Sequence, residues 1–375
     1  ARTDHDQGSQ NARTGLDAFR SGKDDRATEK LSAAADDFER ADEATGSLLA
    51  RGGQLVPIVG THLRAVDELS TESAELATIA AETAGVLDAR GVTVDGRIDL
   101  ERVEELVPQA DAVTAGLESA LATIDEVDSP WLLAPLQDAI GEIEDEIAVS
   151  LPQALNAREA LRITPDFLGA DGPQLYLTIV ANPAEAREMG GFAASIGILS
   201  ADDGRLDFGQ ISTRTLIRAM EQADLVPPDG MPPSLLAAQP LEFPQNWTAW
   251  PDFDVVTALS SSLFTQTLGL EIDGVIYADP YVLAALLEFT GPLRIPDVPG
   301  RLTEDNVVDF LLRDQYQFFI DDQGARKELL GDVAEVAVDE LTEGALPEPR
   351  LIADRLGPMV DQRRLLFQPI GAELP

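Results

Sequence analysis

The apolar residues of this 375-residue chain change their period once, close to Pro165, and that switch constrains the fold more than any other feature. Before it, apolar side chains recur every three or four residues, the repeat of an amphipathic helix. One series runs Leu31, Ala34, Phe38, Ala41, Thr45, Leu48, and a second Val66, Leu69, Ser73, Leu76, Ala80, Thr83, Leu87. A third runs Val103, Leu106, Ala110, Val113, Leu117, Leu121, Ile124, with Pro108 at a kink or early turn. A fourth starts at Ser129-Pro130, where Ser caps and Pro suits the first turn, and continues Leu133, Leu136, Ile140, Ile143, Ile147, Leu151. Four narrow stripes with acidic outer faces predict an all-α bundle or stalk over 1–160, built of long antiparallel hairpins.

After Pro165 the runs become short and strand-like. Gln174–Val180 reads as a buried strand, and Phe192–Leu199 and Arg205–Ile211 flank a hairpin turn at Asp203-Gly204. Residues 273–279, the short stretch 292–296 and Leu365–Gln368 add further strands. Helical patterns cover Asp254–Leu268, Pro280–Phe289, Thr303–Phe319, Ala325–Leu341 and Leu351–Arg363. Strands mixed with helices of this length predict an α/β domain over 165–375, an α+β sandwich with a mixed central sheet. Residues 225–252 hold too much proline for a regular element and read as an ordered loop anchored over the sheet by aromatic side chains.

Composition removes several kinds of chemistry. With 27 basic and 67 acidic residues the net charge is −40, which repels nucleic acid and anionic lipid headgroups. Cysteine is absent, and the histidines are His5 and His62 alone, both in the helical third. A thiol nucleophile, a histidine-rich zinc site and a Ser-His-Asp triad therefore lack their parts. What is left is carboxylates, arginines, hydroxyls, main-chain amides and hard cations such as Mg²⁺. No run of eighteen apolar residues occurs, so any membrane attachment is expected through an N-terminal anchor helix outside this fragment.

The stretches "NPAEAREMGGF" (182–192), "LSADDGRL", "WPDFDVVTAL", "DGVIYADPYVLAALLEFTGPLRIP" and "LTEDNVVDFLLRDQY" resemble, in order, a bacterial envelope family of unknown function numbered 4012. That family is in turn distantly similar to the LytR-CpsA-Psr phosphotransferases. Those extracytoplasmic enzymes move glycopolymers from a polyprenyl-pyrophosphate carrier to the cell wall, using arginines, aspartates and Mg²⁺. The resemblance implies an extracytoplasmic, membrane-anchored protein whose partner is a lipid-linked glycan or cell-wall polymer. It implies substrate-binding roles for Arg187, Arg214, Arg313 and Arg326, and for Asn182, Gly190, Gly191 and Tyr316 in the same motifs. Glu185, Asp252 and Asp322 are the candidate Mg²⁺ ligands. The chain departs from the transferase pattern at four places: Met189 where the metal-handling aspartate belongs, Thr215 for the aspartate of an Arg-Asp pair, Gln315 for a second arginine, and Leu330 for a polar residue.

Elementary chemistry agrees with part of this. Arginine's planar fork offers paired donors to a pyrophosphate and stays charged, so an arginine cluster in a chain this acidic is a local exception. Gly190-Gly191 fits either main-chain amides turned toward an anion or a simple bulge at the start of a strand. Three functions remain open on the sequence: an envelope protein that binds, and as an extension transfers or processes, a lipid-linked or wall-attached glycopolymer; a non-catalytic scaffold; and a carboxylate-pair glycosidase, for which no spacing argues. The departures at Met189 and Thr215 favour binding over transfer.

Overall fold

The computed structural model describes residues 2–21, 23–45, 57–86, 93–94, 97–296, 298–320, 323–343 and 349–371. The chain divides into two compact units, one of Ala1–Gly91 with Glu101–Pro165 and one of Val92–Leu100 with Asp166–Pro375.

In the first unit the described residues form five helices: α1 (Arg2–Arg20), α2 (Asp24–Thr45), α3 (Pro57–Val86), α4 (Leu100–Val127) and α5 (Ala134–Phe167). The four expected stripes correspond to α2 to α5, except that α5 starts at Ala134 rather than at Ser129-Pro130 and leaves Leu133 exposed, and that Leu48 and Leu87 lie outside the described residues. The first helix has no comparable stripe because small residues do its packing, with Gly8 against the Phe38 ring and Gly15 against Leu31. The seam joining α1, α2 and α3 is largely alanine, including Ala18, Ala27, Ala34, Ala77 and Ala81. Larger side chains join α3, α4 and α5, where Leu69, Ile124, Ile140 and Ile147 are buried together. Helix α4 continues through Pro108 and α5 through Pro152 and Pro165.

The second unit is built on a five-stranded sheet of β3 (Gln174–Asn182), β4 (Phe192–Asp202), β5 (Arg205–Ile211), β6 (Gly274–Ala278) and β7 (Leu366–Pro369). Its order is β5-β4-β3-β6-β7, with β3 and β6 parallel and the other neighbours antiparallel. The period of two along each strand sends alternate residues to opposite faces. Leu177, Ile179, Val275 and Tyr277 join one apolar cluster with α8 (Phe253–Leu268), and Val180 and Phe208 join another with α9 (Pro280–Thr290) and α12 (Gln323–Glu343). The sheet is thus covered on both faces, as a mixed sheet with long helical connections requires. Between these elements lie α6 (Thr213–Met220), α7 (Pro233–Ala237), a 3₁₀ turn (Pro244–Asn246), α10 (Val307–Asp309), a π-helical stretch (Phe310–Asp314), α11 (Gln315–Phe318) and α13 (Pro349–Asp361).

Several expectations are amended. The stretch expected to be all helical contains a small hairpin, β1 (Thr93–Val94) and β2 (Arg97–Ile98), which belongs to the sheet unit. It docks on the β4–β5 turn: the Ile98 N–H donates to the Gly204 carbonyl (2.9 Å), and Arg97 is ion-paired with Asp203. Residues 292–296 form no strand, because only the pair Leu293–Leu302 meets in a bridge. The helix expected over 303–319 starts later, at Val307, since Asn306 Oδ1 accepts the Thr303 N–H (2.9 Å) in a tight turn. The proline-rich stretch 225–252, expected to hold no regular element, contains α7 and the 3₁₀ turn, each with a proline in its first turn. Within it Trp247 is fully buried, and its indole N–H donates to the Pro240 carbonyl (3.0 Å).

Candidate functional site

In open α/β sheets, ligands gather beyond the carboxyl ends of parallel strands. Here that place is the end of the β3/β6 pair, where Val180 lies opposite Ala278. Asn182 ends β3, and its Oδ1 accepts the Ala184 N–H (2.9 Å), bending the chain out of the sheet. The loop returns with the Phe192 N–H donating to the Glu185 carbonyl (2.9 Å).

The glycine pair is required by this return. Gly190 has φ +119°, and an added Cβ would stand 2.9 Å from the Tyr277 hydroxyl. A Cβ on Gly191 would stand 2.5 Å from the Asn182 carbonyl carbon. Between the strands, Met189 is buried in the core, its N–H donating to Thr248 O (3.1 Å) and its carbonyl accepting from the Tyr277 hydroxyl (3.1 Å). The Thr248 hydroxyl in turn donates to the Gly191 carbonyl (2.7 Å). The loop is therefore fastened to the body of the domain, and both glycines are required by its close packing.

A second element reaches this loop from the π-helical stretch. The widened turn over Phe310–Asp314 is followed at once by Gln315 and Tyr316. Such π-turns re-aim the side chains that follow and are frequent at functional sites. The Asn182 amide donates to the Tyr316 hydroxyl (3.0 Å), and that hydroxyl donates to Glu185 Oε1 (3.2 Å). Asn182 and Glu185, in one loop, and Tyr316, 131 positions beyond Glu185, thus form one connected network. Beside it Gln315 is buried, its amide N–H donating to the Leu311 carbonyl while Oε1 has no partner among the described residues.

The four arginines are treated differently. Arg187 is half-buried; its Nε donates to Asn246 Oδ1 (3.0 Å) and its Nη1 to the Ala186 carbonyl (2.9 Å), both neutral acceptors. Arg214 is exposed on α6, with Arg218 one turn later, and neither makes a hydrogen bond or ion pair among the described residues. Helix α6 packs against the 3₁₀ turn that carries Asn246, so the element bearing Arg214 and the anchor of Arg187 are neighbours. Arg313 instead bonds to Asp314 (2.7 Å) and Asp309 (3.2 Å) in the open. The bond to Asp314, then the nearby carboxylate charges, raises the Arg313 pKa, and the same bond lowers that of Asp314. Arg326 lies in α12, with its side chain outside the described residues, as does all of Asp322.

Of the candidate metal ligands, Glu185 and Asp252 have other partners, and Asp322 lies outside the described residues. Asp252 is the N-cap of α8 and accepts the Asp254 N–H (3.1 Å), whereas Glu185 serves Tyr316. Among the described residues no group of three His, Cys, Asp or Glu side chains is placed to hold a metal ion.

One cluster at the same sheet end was not singled out in the sequence. Asp279, directly after β6, is buried and caps α9 by accepting the Tyr281 N–H (2.8 Å). Arg364, on the approach to β7, donates to Asp279 Oδ2 (2.6 Å) and stacks 3.7 Å over the Tyr281 ring. Burial, and after it the Asp279 charge, pushes the Tyr277 pKa up, with Arg364 opposing. The Asp-Pro start of a helix was a legible cap signal; the arginine 85 positions away carried no local mark.

These features define a mixed-sheet α/β domain with a polar network at the carboxyl end of its parallel strands, accompanied by a helical unit. Residues 171–316 match the model of the family described as a protein of unknown function, DUF4012, and this part of the chain belongs to it. No curated protein and no solved structure matches the chain significantly.

Proposed function

We propose that this domain is an extracytoplasmic binding module of the bacterial cell envelope, which holds a polyprenyl-pyrophosphate-linked or wall-attached glycopolymer without transferring it. The carrying observation is the fate of the positions at which the LytR-CpsA-Psr resemblance implies reactive groups. Of the four departures, Thr215 is exposed on α6; Met189, Gln315 and Leu330 stand for an aspartate, an arginine and a polar residue, and these three are buried. A charge at any of them would be stripped of water at a cost of several kcal/mol, roughly, for an unpaired ion. Those positions serve packing.

The binding half of the reading rests on the arginines. In a chain with 67 acidic residues, Arg187, Arg214 and Arg218 have no carboxylate partner among the described residues. Unpaired guanidinium groups on neighbouring elements suit a phosphate-bearing ligand. Glu185, Asn246 and Tyr316 add acceptors and donors of the kind sugar hydroxyls use.

Calorimetry on the purified protein with a polyprenyl pyrophosphate in micelles, with and without Mg²⁺, tests the reading. The unmutated protein is expected to bind, and Arg214→Ala to weaken binding at least about tenfold, one charge-assisted contact being worth roughly 1.5–3 kcal/mol. The melting temperature should stay put. Absence of binding by the unmutated protein, or release of a transferred glycopolymer in a turnover assay, would overturn it.

A further inference from the structure

We infer that the tip of the α4–α5 hairpin is a docking knob for a basic partner protein that offers an apolar pocket with a cationic rim. At this tip Trp131 is 82% and Leu133 66% exposed, while Leu132 between them is buried. The remaining tryptophans of the chain are used differently: Trp247 is buried, and Trp250 is packed partly against the same core. Large side chains held out in water are the usual anchors of protein interfaces, tryptophan above all.

The tip is built to hold them out. The Leu132 N–H donates to the Ser129 carbonyl (3.0 Å), and the Leu133 N–H donates to His62 Nε2 on α3 (2.9 Å). With Leu132 seated in the α3–α4–α5 core, the two neighbours are fixed outward before any partner arrives, which lowers the ordering cost of association.

Charge selects the partner. Between Val103 and Ala157 there are twelve Asp and Glu and no Lys, Arg or His. Asp125, Glu126, Asp128 and Asp138 flank the tip, all exposed and without an ion-pair partner among the described residues. An acidic collar around an apolar point repels an anionic bilayer, and it repels a second copy of a chain with net charge −40. It complements a pocket ringed by Lys or Arg.

The test uses an 18-residue amphipathic Leu/Lys helical peptide, with Leu/Gln and Leu/Glu versions, followed by tryptophan fluorescence of the whole chain. In the free chain, acrylamide should quench a component that Trp131→Phe removes. The Leu/Lys peptide should bind, more weakly as salt rises, and Trp131→Ala should lower its affinity at least tenfold with circular dichroism unchanged. The Leu/Glu peptide should not bind. Equal affinity for Trp131→Ala would reduce the effect to general charge attraction and overturn the proposal. So would a protected Trp131 in the free chain, a blue shift with phosphatidylcholine or phosphatidylglycerol vesicles, or a dimer that Trp131→Ala dissociates.

Discussion

The α1–α3 seam and the core around the sheet hide apolar surface by opposite means. Along α1, α2 and α3 the buried residues are mostly alanines, short side chains that let helix backbones approach closely. Around the sheet they are large: Trp247, Phe264, Leu263, Ile179 and Tyr277 lie in one continuous cluster. Hydrophobic free energy follows buried area, so an alanine contributes little and a seam must be long to hold. A deep core concentrates the same stabilisation in a few side chains. The α1–α3 seam is therefore tolerant of loss at any one point, and the core around the sheet is not.

The largest expected effect tests that contrast directly. Phe264→Ala should destabilise the sheet unit by about 3–5 kcal/mol, whereas Ala77→Gly in the helical seam should cost that unit about 1 kcal/mol. Hydrogen exchange of β3 and β6 amides against α2 and α3 amides reads the two separately. Comparable losses would abolish the distinction.

A smaller effect is expected at the loop that closes the candidate site. Gly191→Ala forces a methyl against the Asn182 main chain and should cost roughly 1–3 kcal/mol, read as a lower urea midpoint. Ala77→Ser, its counterpart of similar size change in the seam, supplies the control. No shift at Gly191 would mean the loop yields, and that its fastening is weaker than its hydrogen bonds suggest.

The smallest effect appears only in alkali. Tyr277 has its pKa raised above the ordinary value of 10.0, so the folded state holds its proton longer than the unfolded state. Its contribution is complete below that ordinary value and is lost as pH rises through the folded one. Stability of the sheet unit should fall with pH above about 10, and Tyr277→Phe should flatten that slope, with Tyr176, also raised by burial, supplying the remainder. An unchanged slope would show that Tyr277 ionises without penalty.

Periodicity made most of the fold legible, since both 3.6-residue and two-residue repeats are local records of which face is buried. It failed where packing is done by small residues, as in α1, whose contacts to Phe38 and Leu31 come from glycines. It also passed over the hairpin 93–98, where two residues per strand are too few to display a period. At the candidate site, Asn182, Glu185 and Tyr316 stood in the right motifs, but their mutual hydrogen bonds depend on a π-turn that leaves no spacing signature. Arg313 had the same sequence credentials as Arg187. Its neighbours Asp309 and Asp314 decide its role, and one of them is adjacent in sequence, so this pairing was open to inspection.

The hairpin has a consequence for how such a chain is inherited. Because Arg97 and Ile98 close on the β4–β5 turn, the sheet module begins at Val92, stops at Leu100 and resumes at Asp166. In genetic terms the α4–α5 hairpin is an insertion within that module, whereas α1 to α3 precede it. A recombination event with a single breakpoint at Pro165 would deliver all five strands of the sheet yet leave Asp203 without its arginine and the Gly204 carbonyl without its donor. Exchange of the intact module between genes needs the earlier segment to travel as well, and the hairpin with its exposed tryptophan then travels with it.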